Sequence, residues 1–131
     1  MNGLSLGRVA GIPIRLHVSW VIILTLLVLT AVAQVGEVDP QATTLTRWTI
    51  GIVIGLAFLL SATAHEVAHA VMARRRGVAT DELVVYFLGA AASTELTTTK
   101  PRDEIAVAAA GPLVSLAIGA GTAALAIAPV L

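Results

Sequence analysis

Apolar residues dominate this chain, and three of the apolar runs reach the length of about 20 residues that a helix needs to cross a bilayer core. They cover residues 14–35, 48–73 and 104–131. A short polar turn at residues 36–40 separates the first two runs, and a longer charged stretch at residues 74–103 separates the last two. The pattern predicts an all-α membrane protein with three transmembrane helices.

One further apolar run, at residues 83–92, is too short to span a membrane as a helix. It contains residues that favour strands, among them Tyr86 and Phe87, and Gly89 can turn the chain. We expect a short extended segment, either an interfacial strand or a re-entrant segment beside a site in the membrane. Residues 9–16, which contain glycine and proline, are a candidate second extended piece near it.

Composition agrees with this pattern, because 57% of the residues are hydrophobic, 12% are charged and the mean hydropathy is +0.92. Such a chain belongs to the membrane class, and we interpret residues 1–131 as one transmembrane domain. The first apolar run is too long for the core of a signal peptide and is expected to be retained. The net charge of zero gives no indication of nucleic-acid binding. Since cysteine is absent, a metal site must use His, Asp or Glu.

The basic residues predict the orientation. Seven of the eight Lys and Arg residues lie before or at the start of the first apolar run, or between the second and third runs, and Arg47 is the exception. The positive-inside rule then places the N-terminus and the C-terminal end of the second run in the cytoplasm. Trp20 and Trp48 lie near the ends of runs, where they suit interfacial anchors.

The candidate chemistry is an H-E-x-x-H motif, His65-Glu66-Val67-Ala68-His69, at the end of the second apolar run. On a helix, His65 and His69 share one face and can bind a single zinc ion together, with Glu66 beside them as general base. The alternative is a solvated helix end that matches the motif by accident, but ionisable residues within a membrane segment favour a functional site. His17 is interpreted as an interfacial residue because its spacing does not pair it with the motif.

A catalytic zinc site usually has three protein ligands, and the motif supplies two. The candidates for the third are the acidic residues of the charged stretch, and Glu95 is preferred among them because it follows the apolar segment at residues 83–92. The others are Asp81, Glu82, Asp103 and Glu104.

Small residues mark the faces on which helices are expected to pack. Gly51 and Gly55 lie on the same helical face as the two histidines, so one end of that face can pack tightly while the other forms the site. In the third run, small residues recur every four positions and predict a second close contact. They are Gly111, Ser115, Gly119 and Ala123.

Together these segments resemble the site-2 proteases, which are zinc-dependent intramembrane metalloproteases. The resemblance is carried by four motifs: the G-R-V-A-G-I-P-I lead-in at residues 7–14, the H-E-V-A-H motif with the basic R-R-R-G at residues 74–77, the Y-F-L-G-A segment at residues 86–90, and A-G-P at residues 110–112. The resemblance implies an endopeptidase with one Zn²⁺ per active site that cleaves transmembrane segments of client proteins during regulated intramembrane proteolysis. It also implies a multi-pass protein of a bacterial cell membrane.

The chain departs from the family pattern at two points. The family's third zinc ligand is an aspartate in a later helix, and the corresponding motif is absent here, so the chain resembles the N-terminal portion of the family core. Ser115 stands where many members carry asparagine. We therefore expect the third ligand to come either from a missing C-terminal half or from a second copy of the chain.

Two other functions remain open. The chain could be a catalytically inactive membrane scaffold that binds client helices, which the missing ligand motif and Ser115 would favour. It could also be a small transporter subunit with its histidines in a proton or metal path, although Glu66 is the only carboxylate in the interior of an apolar run, since Glu104 stands at the start of the third. If the chain is a protease, the extended residues 83–87 are expected to pair with an unwound client by strand addition.

Overall fold

The computed structural model describes residues 3–77, 80–86, 89–94 and 100–130. A hairpin of β1 (Gly3–Val9) and β2 (Ile12–His17) comes first, followed by α1 (Trp20–Val38) and α2 (Thr44–Arg75). The strands β3 (Thr80–Tyr86) and β4 (Gly89–Thr94) come next, and α3 (Pro101–Ile127) runs to a short 3₁₀ turn, Ala128–Val130.

The three helices are each long and apolar enough to cross a membrane. They contain 19, 32 and 27 residues, and the mean hydropathy of their most apolar windows is 2.2, 1.8 and 1.8. At 1.5 Å per residue, α2 is about 48 Å long, more than the roughly 30 Å of a bilayer core. Most of the large apolar side chains on these helices are exposed, as expected for surfaces that face lipid. The prediction of three membrane-capable helices is confirmed.

The helices begin at different residues from those predicted. α1 starts at Trp20 rather than near residue 14, because the apolar residues before it belong to β2. α2 starts at Thr44, where the hydroxyl of the N-cap residue Thr43 accepts a hydrogen bond from the Thr46 N–H. α3 starts at Pro101, a residue that suits the first turn because it lacks an N–H.

The β structure is larger than the predicted short segment. The four strands form one mixed sheet in the order β1-β2-β3-β4, in which β2 and β3 are parallel and the two outer pairs are antiparallel. The expected extended pieces near residues 9–16 and 83–92 are therefore both present, and they are neighbours in the sheet. Whether this sheet lies at an interface or enters the membrane stays a prediction.

The sheet also corrects the expected site of strand addition. Residues 83–86 lie in β3, and both edges of β3 are already paired, one with β2 and the other with β4. Phe87 lies outside the described residues. Because a new strand needs an unpaired edge, residues 83–86 cannot take up a client in this arrangement. The free edges of the described sheet belong to β1 and β4.

The first hairpin is attached to the C-terminal end of α2. Its two turn residues, Ala10 and Gly11, have φ values of 52° and 79°, as a tight two-residue turn requires. The Arg74 guanidinium at the end of α2 donates a hydrogen bond of 2.8 Å to the Ala10 carbonyl. Ile12 and Ile14 of β2 are buried in a cluster with Trp20 and Ala70, so the sheet packs beside the histidine-bearing part of α2.

Trp20 differs from the expected interfacial anchor. It is only 4% exposed in this cluster, and its ring centroid lies 6.1 Å from that of Phe58 on α2. Trp48, the other predicted anchor, is 41% exposed. Packing against β2 and α2 explains the burial of Trp20, which the sequence could not show because the strand was assigned to the span.

Candidate metal centre

The two histidines of the motif lie one turn apart on α2 and turn their rings toward each other. His65 and His69 have ring centroids 4.8 Å apart, with an angle of 78° between the ring planes. Both side chains are half-buried. Their Nε2 atoms are separated by 3.2 Å.

This separation fits a shared metal ion. Two nitrogens bound at about 2.0 Å to a tetrahedral zinc ion stand about 3.3 Å apart. The helix thus brings both Nε2 atoms to the spacing of a zinc chelate without a change of rotamer, and imidazole nitrogen is a preferred zinc ligand.

Helix α3 holds the opposite side of both rings. The Nδ1 atom of His69 lies 2.7 Å from the carbonyl oxygen of Val107, and the Nδ1 atom of His65 lies 2.7 Å from the hydroxyl oxygen of Ser115. Histidine ligands of metals typically make such a second hydrogen bond, which fixes the ring orientation. Sequence reasoning missed both partners: a main-chain carbonyl leaves no trace in a sequence, and Ser115 was noted only for its size and position.

Gly111 makes room for the histidines between these two contacts. A Cβ atom built on Gly111 would lie 2.7 Å from Nε2 of His65 and closer still to Nε2 of His69. Gly111 is itself buried, and it lies four residues from Val107 and four from Ser115. The predicted small-residue contact is therefore present at Gly111 and Ser115, whereas a Cβ on Gly119 would have no described atom within 4 Å.

A model of Peptidase family M50 matches residues 53–130, which include the motif and α3. The chain belongs to this family. Two relatives are named zinc metalloproteases: sll0528 of Synechocystis sp., 32% identical over 120 residues, and Rip3 of Mycobacterium tuberculosis, 32% identical over 126 residues. These alignments cover 92% and 96% of the chain but 31% and 32% of the relatives, so the chain spans about a third of their length.

The fold of this M50 chain is also similar to a solved structure, the site-2 protease from Methanocaldococcus jannaschii. The TM-score is 0.53 at 21% identity, over 86% of this chain and 45% of that one. At this identity the similarity establishes the fold. The family membership confirms the resemblance to site-2 proteases inferred from the sequence, and with it a membrane metalloprotease type of core.

Of the acidic residues considered as third ligands, Asp103 and Glu104 are the ones whose side chains the structure describes. Asp103 pairs with Arg76 at 3.0 Å, and Glu104 is exposed on the first turn of α3. Asp81 and Glu82 lie in β3, and Glu95 lies outside the described residues. Within the described part of the chain, no group of three metal-binding side chains is present.

The surroundings of Glu66, the third ionisable residue of the motif, differ from those of His17, the histidine outside it. Glu66 follows His65 on α2 and is half-buried, and its carboxylate makes neither a hydrogen bond nor an ion pair within the described residues. Its carboxylate is thus not committed to a structural contact. His17, expected to stay apart from the motif, lies at the end of β2 with its Nδ1 atom 2.9 Å from the Ser19 hydroxyl.

Proposed function

We propose that this chain carries the zinc-binding core of an intramembrane endopeptidase, which cleaves transmembrane segments of membrane-bound client proteins in regulated intramembrane proteolysis. In this proposal His65 and His69 bind the metal through Nε2, and Glu66 is the general base. The observation that carries it is the 3.2 Å separation of the two Nε2 atoms on a membrane-capable helix. The family membership supports the same chemistry.

The residues divide the chemistry as follows. A bound zinc ion would polarise the scissile carbonyl and make a water more acidic. Glu66 would accept the proton of the attacking water and later donate it to the leaving amine nitrogen. Glu66 is half-buried and directly follows His65 on α2, which is compatible with this role. A client helix would have to unwind first, because a helical backbone hides its carbonyls.

The third ligand is part of the proposal. Glu95 is its candidate within this chain, and a second copy of the chain or a further segment is the alternative. A zinc measurement separates a working centre from an accidental motif. We expect near-stoichiometric zinc in the purified protein, its loss in His65→Ala, and its retention in His17→Ala, the histidine that contacts Ser19 instead. Zinc that is absent from all three samples would contradict the proposed centre.

Activity is tested with the purified protein and a model client reconstituted together in lipid vesicles. The client is a single apolar helix of about 20 residues, tagged at both ends, with a Gly-Pro break that eases unwinding. We expect cleavage by the unaltered protein and none by Glu66→Gln, which keeps the size of the side chain and should retain zinc. Equal cleavage by Glu66→Gln would refute the role of Glu66. Zinc without cleavage would favour the inactive scaffold.

The orientation is proposed from the basic residues, with the N-terminus and the histidine end of α2 in the cytoplasm. Because the chain has no cysteine, single cysteines can be introduced without a background of native thiols. In cells, a cysteine at Gly77 should resist a membrane-impermeant thiol reagent, whereas one at Pro40, between α1 and α2, should react. The opposite labelling pattern would invert the orientation.

A further inference from the structure

The two imidazoles contact α3 through chemically different groups. His69 meets the main-chain carbonyl of Val107, and His65 meets the side-chain hydroxyl of Ser115, both at 2.7 Å. Since positions 107, 111 and 115 are four residues apart, they lie along one face of α3. One helix face therefore holds both rings, but with two different types of hydrogen-bonding partner.

The carbonyl fixes the tautomer of His69. A carbonyl oxygen can only accept a hydrogen bond, so Nδ1 of His69 must carry a proton and donate it to Val107. In the neutral imidazole, Nε2 then has a free lone pair. His69 is thus in the tautomer that binds a metal through Nε2, whether or not a metal is present.

The hydroxyl leaves His65 able to adopt either tautomer, because a serine hydroxyl can both donate and accept. Nε2 of His65 lies 3.2 Å from Nε2 of His69, the nitrogen that has the lone pair in this tautomer. Without a cation, this contact is satisfied when Nε2 of His65 carries the proton and donates it to His69, while Ser115 donates to Nδ1. With a cation between the rings, both Nε2 atoms must present lone pairs, so Nδ1 of His65 carries the proton and Ser115 accepts it.

The use of the Ser115 hydroxyl differs from that of other hydroxyls in these helices. Thr25, Thr30 and Thr122 each donate to the carbonyl four residues earlier in their own helix. Ser115 instead contacts a residue of α2 that lies 50 positions away in the chain. Its hydroxyl therefore acts between helices.

We propose that Ser115 is a positioning residue that holds the His65 ring in one orientation in both the metal-free and the metal-bound state, by donating in the first and accepting in the second. The proposal rests on the proposed function, in which His65 and His69 are the zinc ligands. The ring does not have to turn, because the same hydroxyl satisfies Nδ1 before and after.

The first test compares zinc affinity in three variants of the full chain, measured by competition with a chelator. Ser115→Ala removes the hydroxyl, and we expect affinity to fall about 10- to 100-fold, the range typical of lost partners of metal-bound histidines. Ser115→Thr keeps a hydroxyl and should retain most of the affinity. Thr122→Ala removes a hydroxyl from the same helix, away from the histidines, and should leave affinity unchanged.

The outcomes separate this proposal from the one on which it rests. If the unaltered protein binds no zinc, the proposed metal centre fails. If it binds zinc and Ser115→Ala binds equally well, the metal centre stands and the role of Ser115 is refuted. A parallel loss in Thr122→Ala would assign the effect to the helix as a whole and would likewise overturn the role of Ser115.

A second measurement uses the unaltered protein, so it does not depend on whether Ser115→Ala folds. Nitrogen chemical shifts of ¹⁵N-labelled histidine distinguish the two tautomers of each ring. On addition of zinc, we expect the His65 proton to be found on Nδ1 instead of Nε2, whereas His69 keeps its proton on Nδ1 throughout. A His65 ring with the same tautomer in both states would overturn the proposal.

Discussion

A glycine allows close helix packing near both ends of α2, but different groups fill the space at each end. Near its N-terminal end, Gly51 and Gly55 let α1 approach, and the cleared space is filled by apolar side chains such as Val28 and Val32. Near its C-terminal end the glycine is on the facing helix: Gly111 of α3 clears space that two imidazole nitrogens fill. A glycine contact between helices can thus serve the packing of apolar side chains at one end and accommodate two imidazole rings at the other.

The largest effect is expected when a methyl group is added at Gly111, in the contact between α2 and α3. In Gly111→Ala the new methyl group would overlap the Nε2 atoms of both histidines, at 2.7 Å for His65 and closer for His69. The rings can escape only by leaving the positions that bring their nitrogens together. We expect zinc affinity, measured by chelator competition, to fall by at least the roughly 100-fold seen when outer partners of metal ligands are lost.

The matched control for this change is on the same helix. Gly119→Ala makes the same substitution eight residues further on, where a Cβ meets nothing within 4 Å in the described part of the chain. It should leave zinc affinity unchanged. If Gly111→Ala also left zinc affinity unchanged, the two nitrogens would not be held against Gly111 when the metal binds. The proposed difference between the α1–α2 and α2–α3 contacts would then be refuted.

The sequence was informative about this second contact only in part. The spacing of His65 and His69 placed both on one helical face, and the recurrence of small residues predicted close packing at Gly111 and Ser115. The same recurrence also predicted packing at Gly119, which faces open space in the described structure. Size patterns show where a helix could approach, but the crossing of two helices decides which positions are used.

Other features could not be read from the sequence for physical reasons. The apolar residues Ile14 and Leu16 directly precede the apolar run of α1, so the apolar pattern alone merged β2 with α1. The pairing of β2 with β3 joins segments more than 60 residues apart, and nothing in local propensity specifies such a partner. The bond from His69 to Val107 uses a main-chain oxygen, which every residue has.

An intermediate effect is expected when a methyl group is added at Gly51, in the contact between α1 and α2. In Gly51→Ala the methyl group would lie 2.7 Å from Cγ2 of Val32 and 3.1 Å from the carbonyl oxygen of Val28. A side chain can move but the backbone of α1 cannot do so locally, so the helices must separate, at a cost of about 1–3 kcal/mol as is typical of overpacking. Unfolding in mixed micelles would measure the loss, and zinc affinity of the folded protein should not change.

Gly55→Ala sharpens this prediction. Its methyl group would meet only side-chain tips, Cγ2 of Val28 at 2.8 Å and Cδ1 of Leu24 at 3.2 Å. Rotation of these tips should reduce the cost below that of Gly51→Ala. A larger loss at Gly55 than at Gly51, or a loss of zinc binding in either variant, would show that the two ends of α2 are not independent.

The smallest effect concerns the edge of the α2–α3 contact, where Arg76 pairs with Asp103 at 3.0 Å. The Arg76 side chain is 38% exposed, so solvent screens the attraction, and a pair of this kind contributes about 0.2–1 kcal/mol. Arg76→Gln should therefore lower the free energy of unfolding slightly, and the difference from the unaltered protein should shrink in about 1 M salt, where the screening length is about 3 Å. Arg75→Gln removes the neighbouring exposed charge and controls for net charge. If Arg76→Gln instead weakened zinc binding as strongly as Gly111→Ala, the position of α3 against the histidines would depend on this ion pair rather than on the buried contacts at Val107, Gly111 and Ser115.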